Sequence, residues 1–305
     1  MESGCINHAT LAIIAVCTAM ICFSSCQRNQ TIVVGSKNFT EQIVLGEMAA
    51  QQIETELKIT VDRRLDLGGT LLAHLALSKG DIDLYPEYTG TALATVLKQP
   101  LSTDPKQVFE TVSRLYRQRF HLRWLPPLGF NDTFAMAVRR EDADRLTAKT
   151  LSAAQARRWR LGVGYEFLTR ADGLTRLDSI YKFRWGGLPR TMDLGLLYRA
   201  LSEGQIDMAA ANSTDGLLTS GRYVVLDDDR RAFPSYEACF VVREDVLAKF
   251  QGLQTCLDRL SNSLNEQTMR QLNRQVDIDH VPVVRVVANF LARLNQKKMQ
   301  ANLLR

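Results

Sequence analysis

From Thr31 onward the apolar residues alternate between short β-branched runs and longer stripes spaced three and four apart. Thr31–Val34 (TIVV) reads as a strand closed by Gly35. Ile43, Gly46, Ala50, Ile53 and Leu57 then mark one face of a helix. Asn38, three residues before Glu41, predicts a capping-box-like start to that helix. A strand near 59–65, a Gly68-Gly69-Thr70 turn, a helix over 71–78 and a strand over 81–85 come next. The turn-rich Pro126-Pro127-Leu128-Gly129 opens a second series, with strands at 134–138 and 161–163, a helix at 192–201, and strands at 206–210, 223–226 and 238–242. The tail from Glu244 reads as helical. Such alternation predicts an α/β fold with mostly parallel sheets. The two series suit two α/β lobes, 31–131 with 241–305 and an inserted 132–240. The chain would cross between them around 130–138 and 236–242. A cleft between such lobes is a favoured place for a small ligand.

The first 30 residues follow another pattern. Leu11–Phe23 is an unbroken apolar run of 13 residues, suited to a signal peptide and short of the roughly 20 residues a membrane span needs. Ser24-Ser25-Cys26 after it resembles a bacterial lipobox. In that reading residues 1–25 are removed and Cys26 becomes a lipidated N-terminus that tethers the protein to the membrane at the cell surface or in the periplasm. The segment before the run has no Lys or Arg, and Phe23 stands where Leu is usual. A plain signal peptide or an uncleaved anchor is the alternative.

Four of the six cysteines (Cys5, Cys17, Cys22, Cys26) fall in this leader, leaving Cys239 and Cys256 in the body. That is neither a disulfide framework nor a metal set. A formal charge of +5 with no dense basic run gives no reason to expect nucleic acid. No GxxxxGK[ST] phosphate loop, GxSxG elbow or complete dinucleotide fingerprint occurs, and the four histidines are scattered. No enzyme and no cofactor is expected.

Aromatic rings and polar turns at strand ends remain: Tyr85 and Tyr88 after one strand, Phe134 opening another, and Tyr236 before the returning strand. Ring faces attract cations, and several together suit a quaternary ammonium, which has no hydrogen to donate. Each ring alone is also an ordinary core residue. Lys37, at a strand-to-helix turn, and Arg170, in the second lobe, are candidates to hold the acidic end of a zwitterion. Either is also readable as a surface charge.

The stretches VVGSKNFTEQIVLGEMAA (33–50), LGGT (67–70), GDIDLYPEYTGTAL (80–93), LGFNDTFAMAV (128–138), EFLTRADG (166–173), NSTDG (212–216) and LDDDRRAFPSYEACFVVR (226–243) together resemble the glycine betaine/choline/carnitine-binding proteins of osmoprotectant ABC importers. The resemblance runs in order from about 32 to 294. It implies the type II periplasmic-binding-protein fold, two lobes joined by a two-crossing hinge. It also implies capture of compatible solutes between the lobes and delivery to a membrane permease, without catalysis. It implies a cage in which Tyr85 comes first, Tyr88 second, with Tyr236 and Phe134, and places Lys37, Asn38, Thr70 and Arg170 around the ligand. Phe134 stands where Tyr is frequent, and Asn212 where the family commonly reads YSTDG. Losing one desolvated cation–π wall costs about 2 kcal/mol, roughly thirtyfold in affinity. Asn212 therefore points to a ligand with a hydrogen-bonding group. Another zwitterion, such as ergothioneine or an amino-acid derivative, is the alternative to glycine betaine, choline or carnitine.

Overall fold

The computed structural model describes residues 31–146 and 149–303; the leader and Cys26 lie outside them. Strands β1 (Thr31–Gly35), β2 (Thr60–Arg64), β3 (Leu84–Tyr88) and β4 (Leu122–Trp124) come first. Then follow β5 (Phe134–Arg139), β6 (Leu161–Val163), β7 (Arg190–Thr191), β8 (Met208–Asn212), β9 (Tyr223–Leu226) and β10 (Ala238–Arg243). They form two five-stranded sheets, ordered β2-β1-β3-β10-β4 and β7-β6-β8-β5-β9. The sheets are evenly mixed rather than mostly parallel. β10 pairs antiparallel with β3 and β4, and β5 antiparallel with β8 and β9. These are the two strands that directly follow the passages between lobes. β10 lies wholly in the first sheet, including 238–240, which the alternation alone left with the second lobe.

Helix α1 (Thr40–Leu57) is buried on nearly every side, through Val44, Leu45, Met48, Ala49 and Ile53. It does not start on an Asn38 cap. Phe39 is the N-cap residue, and its ring has no group to give a side-chain bond; the Asn38 backbone N–H instead donates to the Gly68 carbonyl at 3.1 Å. Helix α2 (Thr70–Lys79) ends on Gly80 at φ +81°, a left-handed position that suits glycine. Helix α3 (Pro105–Phe120), unread in the sequence, carries a full start signal. Asp104 accepts from the amides of Lys106 and Gln107, and Pro105 occupies the first turn.

Period-two alternation in β3 sends neighbouring side chains to opposite faces. Tyr85 goes to one core with Leu77, Val112, Tyr116 and Trp124. Leu84 and Tyr88 join a second core that runs through Met48, Phe130 and Met136 into the other lobe. The two passages lie side by side. The Tyr236 amide donates to Asn131 Oδ1 at 2.5 Å, and the Asp132 amide to the Tyr236 carbonyl at 3.1 Å. Cys239 and Cys256 are both free and buried in separate cores.

Candidate functional site

The first lobe's contribution begins where β1 ends. Lys37 follows Gly35-Ser36 and is buried, its Nζ 2.6 Å from Glu87 Oε1 on β3. Glu87 also accepts from the Tyr85 hydroxyl at 3.1 Å and the Tyr88 amide at 2.7 Å. The Lys37 ammonium lies 4.6 Å from the Tyr88 ring centroid and 5.8 Å from that of Phe39. Beneath the ring, the Tyr88 hydroxyl donates to Glu41 Oε1 at 2.6 Å. Burial pushes the Glu41 carboxyl up to about 7.

The second lobe supplies a matching arrangement. Phe134 opens β5 and Asn212 closes β8, and the two are direct cross-strand partners. Arg170 follows helix α4 (Tyr165–Thr169) and grips Asp172 in a fork, Nε at 2.9 Å and Nη2 at 2.6 Å. The guanidinium centre is 4.9 Å from the Phe134 ring and 5.8 Å from that of Tyr236. The Tyr236 hydroxyl donates to Asp172 Oδ2 at 2.7 Å. Gly90 lets the Tyr236 ring in, since a Cβ there would sit 2.7 Å from Tyr236 Cδ1.

Two contacts join the lobes across the cleft. Arg170 Nη2 donates to Thr91 Oγ1 at 3.1 Å. Glu166 of α4 caps the N-terminus of α2, accepting from the Thr70 amide at 2.8 Å and the Thr70 hydroxyl at 3.3 Å. Gly69 leaves room for that carboxylate, because a Cβ would stand 2.6 Å from Glu166 Oε1. Burial opposes the Glu166 charge. The Lys37 and Arg170 charges and the Thr70 bonds outweigh it and hold the carboxyl below its ordinary value.

Between these groups lies a cavity of about 530 Å³. Seven of the nine residues singled out from the sequence line it: Lys37, Asn38, Tyr88, Phe134, Arg170, Asn212 and Tyr236. Tyr85 does not. β3 spans 84–88 rather than ending at 85, so its alternation turns Tyr85 into the core, where it acts only through Glu87. Thr70 does not line the cavity either and is occupied by Glu166. Lys37 and Arg170 are not free bases, as each is paired with a buried carboxylate.

Sequence reasoning missed Glu87, Glu166, Asp172 and Asp132. A signal was present for all four: Glu166 and Asp172 flank Arg170 within EFLTRADG, Glu87 lies inside DLYPEY, and Asp132 lies inside LGFNDTFAMAV. Asp132 lines the cavity and accepts from the Thr214 hydroxyl at 2.8 Å; burial raises its carboxyl well above the ordinary value. The Asn212 carboxamide makes no hydrogen bond within the described residues.

Comparison with known proteins places this geometry. The family model described as the substrate binding domain of ABC-type glycine betaine transport systems matches residues 30–293. The chain belongs to this family. It is 35% identical over 266 residues to the ergothioneine transport permease/ergothioneine binding protein EgtU of Helicobacter pylori, covering 86% of this chain and 47% of that protein. The chain thus spans about half the length of that relative. It is 32% identical to a glycine-betaine-binding protein of Pseudomonas aeruginosa, covering 86% of this chain and 87% of the other. A crystal structure of a glycine betaine/carnitine/choline ABC transporter superposes with a TM-score of 0.74 at 28% identity, over 86% of this chain and 98% of that one. The two-sheet architecture is the type II periplasmic-binding-protein fold that the resemblance implied. The protein is the substrate-binding component of an ABC importer, a class that works outside the cytoplasm, binds a small ligand and serves a permease.

Proposed function

We propose that this protein captures a quaternary-ammonium compatible solute of the glycine betaine, choline or carnitine type in its interlobe cleft and hands it to its permease. The observation that carries this reading is the use the cleft makes of its own charges. The faces of Tyr88, Phe134 and Tyr236 each have a side-chain cation 4.6 to 5.8 Å away, and a carboxylate caps the nearby α2 N-terminus. Ring faces turned to cations suit an onium group; backbone N–H groups at a helix start suit an acid group. In this reading Tyr88, Phe134 and Tyr236 enclose the onium. Lys37, Asn38, Arg170 and the α2 N-terminus with Thr70 receive the acidic end as Glu166 swings aside. The lobes, divided near 131 and just before β10, turn about the paired passages. The ligand favours the joined arrangement by touching both lobes. Cys26 carries the lipid anchor, and more than one acyl chain there would give a stable tether.

A second reading is an ergothioneine-like zwitterion. The Asn212 carboxamide favours it, because it stands beside Phe134 at the cavity with donors and an acceptor to offer, as does the similarity to EgtU. Thermal-shift and calorimetric titration against glycine betaine, choline, carnitine and ergothioneine separates the two. Strong stabilisation by any of the first three supports the main reading. Response to ergothioneine alone supports the second, and silence with all four removes both.

A further inference from the structure

The cleft holds more space than a compact onium ligand fills, and part of its outer lining is apolar. The cavity of about 530 Å³ falls in the range of roughly 300–1,000 Å³ that takes drug-sized ligands, larger than a molecule of about eight heavy atoms. The surplus is not simply the gap between parted lobes. Thr70 already bonds Glu166, and Arg170 already bonds Thr91, across the cleft.

The inner end of the cavity is formed by buried Tyr88, Arg170 and Tyr236. Its mouth is formed by large apolar side chains from both lobes that stand in water. Leu71 and Leu72 of α2 are 60% and 59% exposed, and in the second lobe Tyr165 is 72% and Leu194 39% exposed. Leu194 is seated over Gly164, where a Cβ would meet its Cδ2 at 2.5 Å. Lys37 and Arg170 are the bases among the lining residues, and both lie at the inner end. An outward-pointing anionic group would therefore find no side-chain cation at the mouth, whereas an apolar chain would cover Leu71, Leu72 and Leu194.

We propose that the site takes onium zwitterions bearing an apolar chain of several carbons, with the head among the rings and the chain lying along the leucines of the mouth. This rests on the reading of the inner end as an onium site. Burying a methylene corresponds to an affinity gain of about two- to fourfold.

The test is calorimetric titration of the purified protein with carnitine and O-acylcarnitines of two to eight carbons, below their micelle concentrations. Affinity is expected to rise about two- to fourfold per methylene over the first several carbons. Leu72→Ser and, separately, Leu71→Ser are expected to flatten that rise, with unchanged circular dichroism showing that they fold. Tight carnitine binding that weakens with every added carbon overturns the proposal and leaves the onium reading standing. A rise that both variants leave intact also overturns it, assigning these leucines to another surface. Silence across the whole series removes the onium reading, and this proposal with it.

Discussion

The two halves of the cleft are built alike and held differently. In the first lobe a buried base (Lys37) meets a buried carboxylate (Glu87) at 2.6 Å above an aromatic ring (Tyr88). In the second, Arg170 meets Asp172 at 2.6 Å above Phe134. The Lys37 hydrogen bonds and ring contacts all stay within its own lobe, and only its charge reaches Glu166 across the cleft. Arg170 also reaches Thr91 in the first lobe, and Asp172 binds Tyr236 on the passage between them. Lys37 is thus set before the lobes meet, while the Arg170 half is completed by their meeting. A charge held by a forked, buried partner leaves an uncompensated ion when one member is removed. Arg170 is thus hydrogen-bonded across the cleft, and Lys37 is not.

The largest break in this comparison is Arg170→Ala. It should reduce affinity for the cognate onium by more than about a hundredfold by calorimetry and lower the melting temperature, since Asp172 is left buried and unpaired. Tyr236→Ala comes next, with a loss of more than about tenfold, because it removes a ring and a hydroxyl bond to Asp172. Asn212→Tyr should sharpen the picture in the other direction, raising glycine betaine affinity up to about thirtyfold if the asparagine stands in for a missing wall. Tyr85→Phe is the smallest. It removes one bond to Glu87 and should cost about 1 kcal/mol in stability with affinity changed less than about threefold.

The pH dependence contrasts two sets of carboxylates. Burial pushes Glu41 up to about 7 and Asp215 up to about 6, and raises Asp132 as well. They meet Tyr88, Thr214, Asn273 and Tyr198 where the lobes join. A carboxyl whose folded pKa exceeds its ordinary value takes up a proton on folding. For Glu41, stability should then fall as pH rises from 4.5 through 7. Glu166, held low, acts oppositely, stabilising above its ordinary 4.5 and losing that contribution as pH falls below it. Melting temperature should thus be higher near pH 5 than near pH 8, and Glu41→Gln should flatten that slope.

Much of this arrangement was legible in the chain. Alternating strands and stripes specified the α/β class, and the motifs specified the family. Tyr88, Phe134, Arg170 and Tyr236 were found because rings and bases at turns are conspicuous. Tyr85 was misplaced because β3 runs on to Tyr88 rather than ending at 85; inside a strand of period two its side chain turns to the face opposite Tyr88. The pairing of Lys37 with Glu87 was not legible, since 50 residues separate them and only the β1–β3 pairing brings them together. The pairing of Glu166 with Thr70 was illegible for the same reason, since Thr70 is 96 residues away, in the other lobe.

The most direct measurement compares glycine betaine with its tert-butyl carboxylate isostere, in which carbon replaces nitrogen, by calorimetric titration of the same protein. Shape and acid group are shared and only the positive charge differs. The expected result is at least about tenfold tighter binding of glycine betaine. Equal affinities would contradict the claim that the rings of Tyr88, Phe134 and Tyr236 hold a cation.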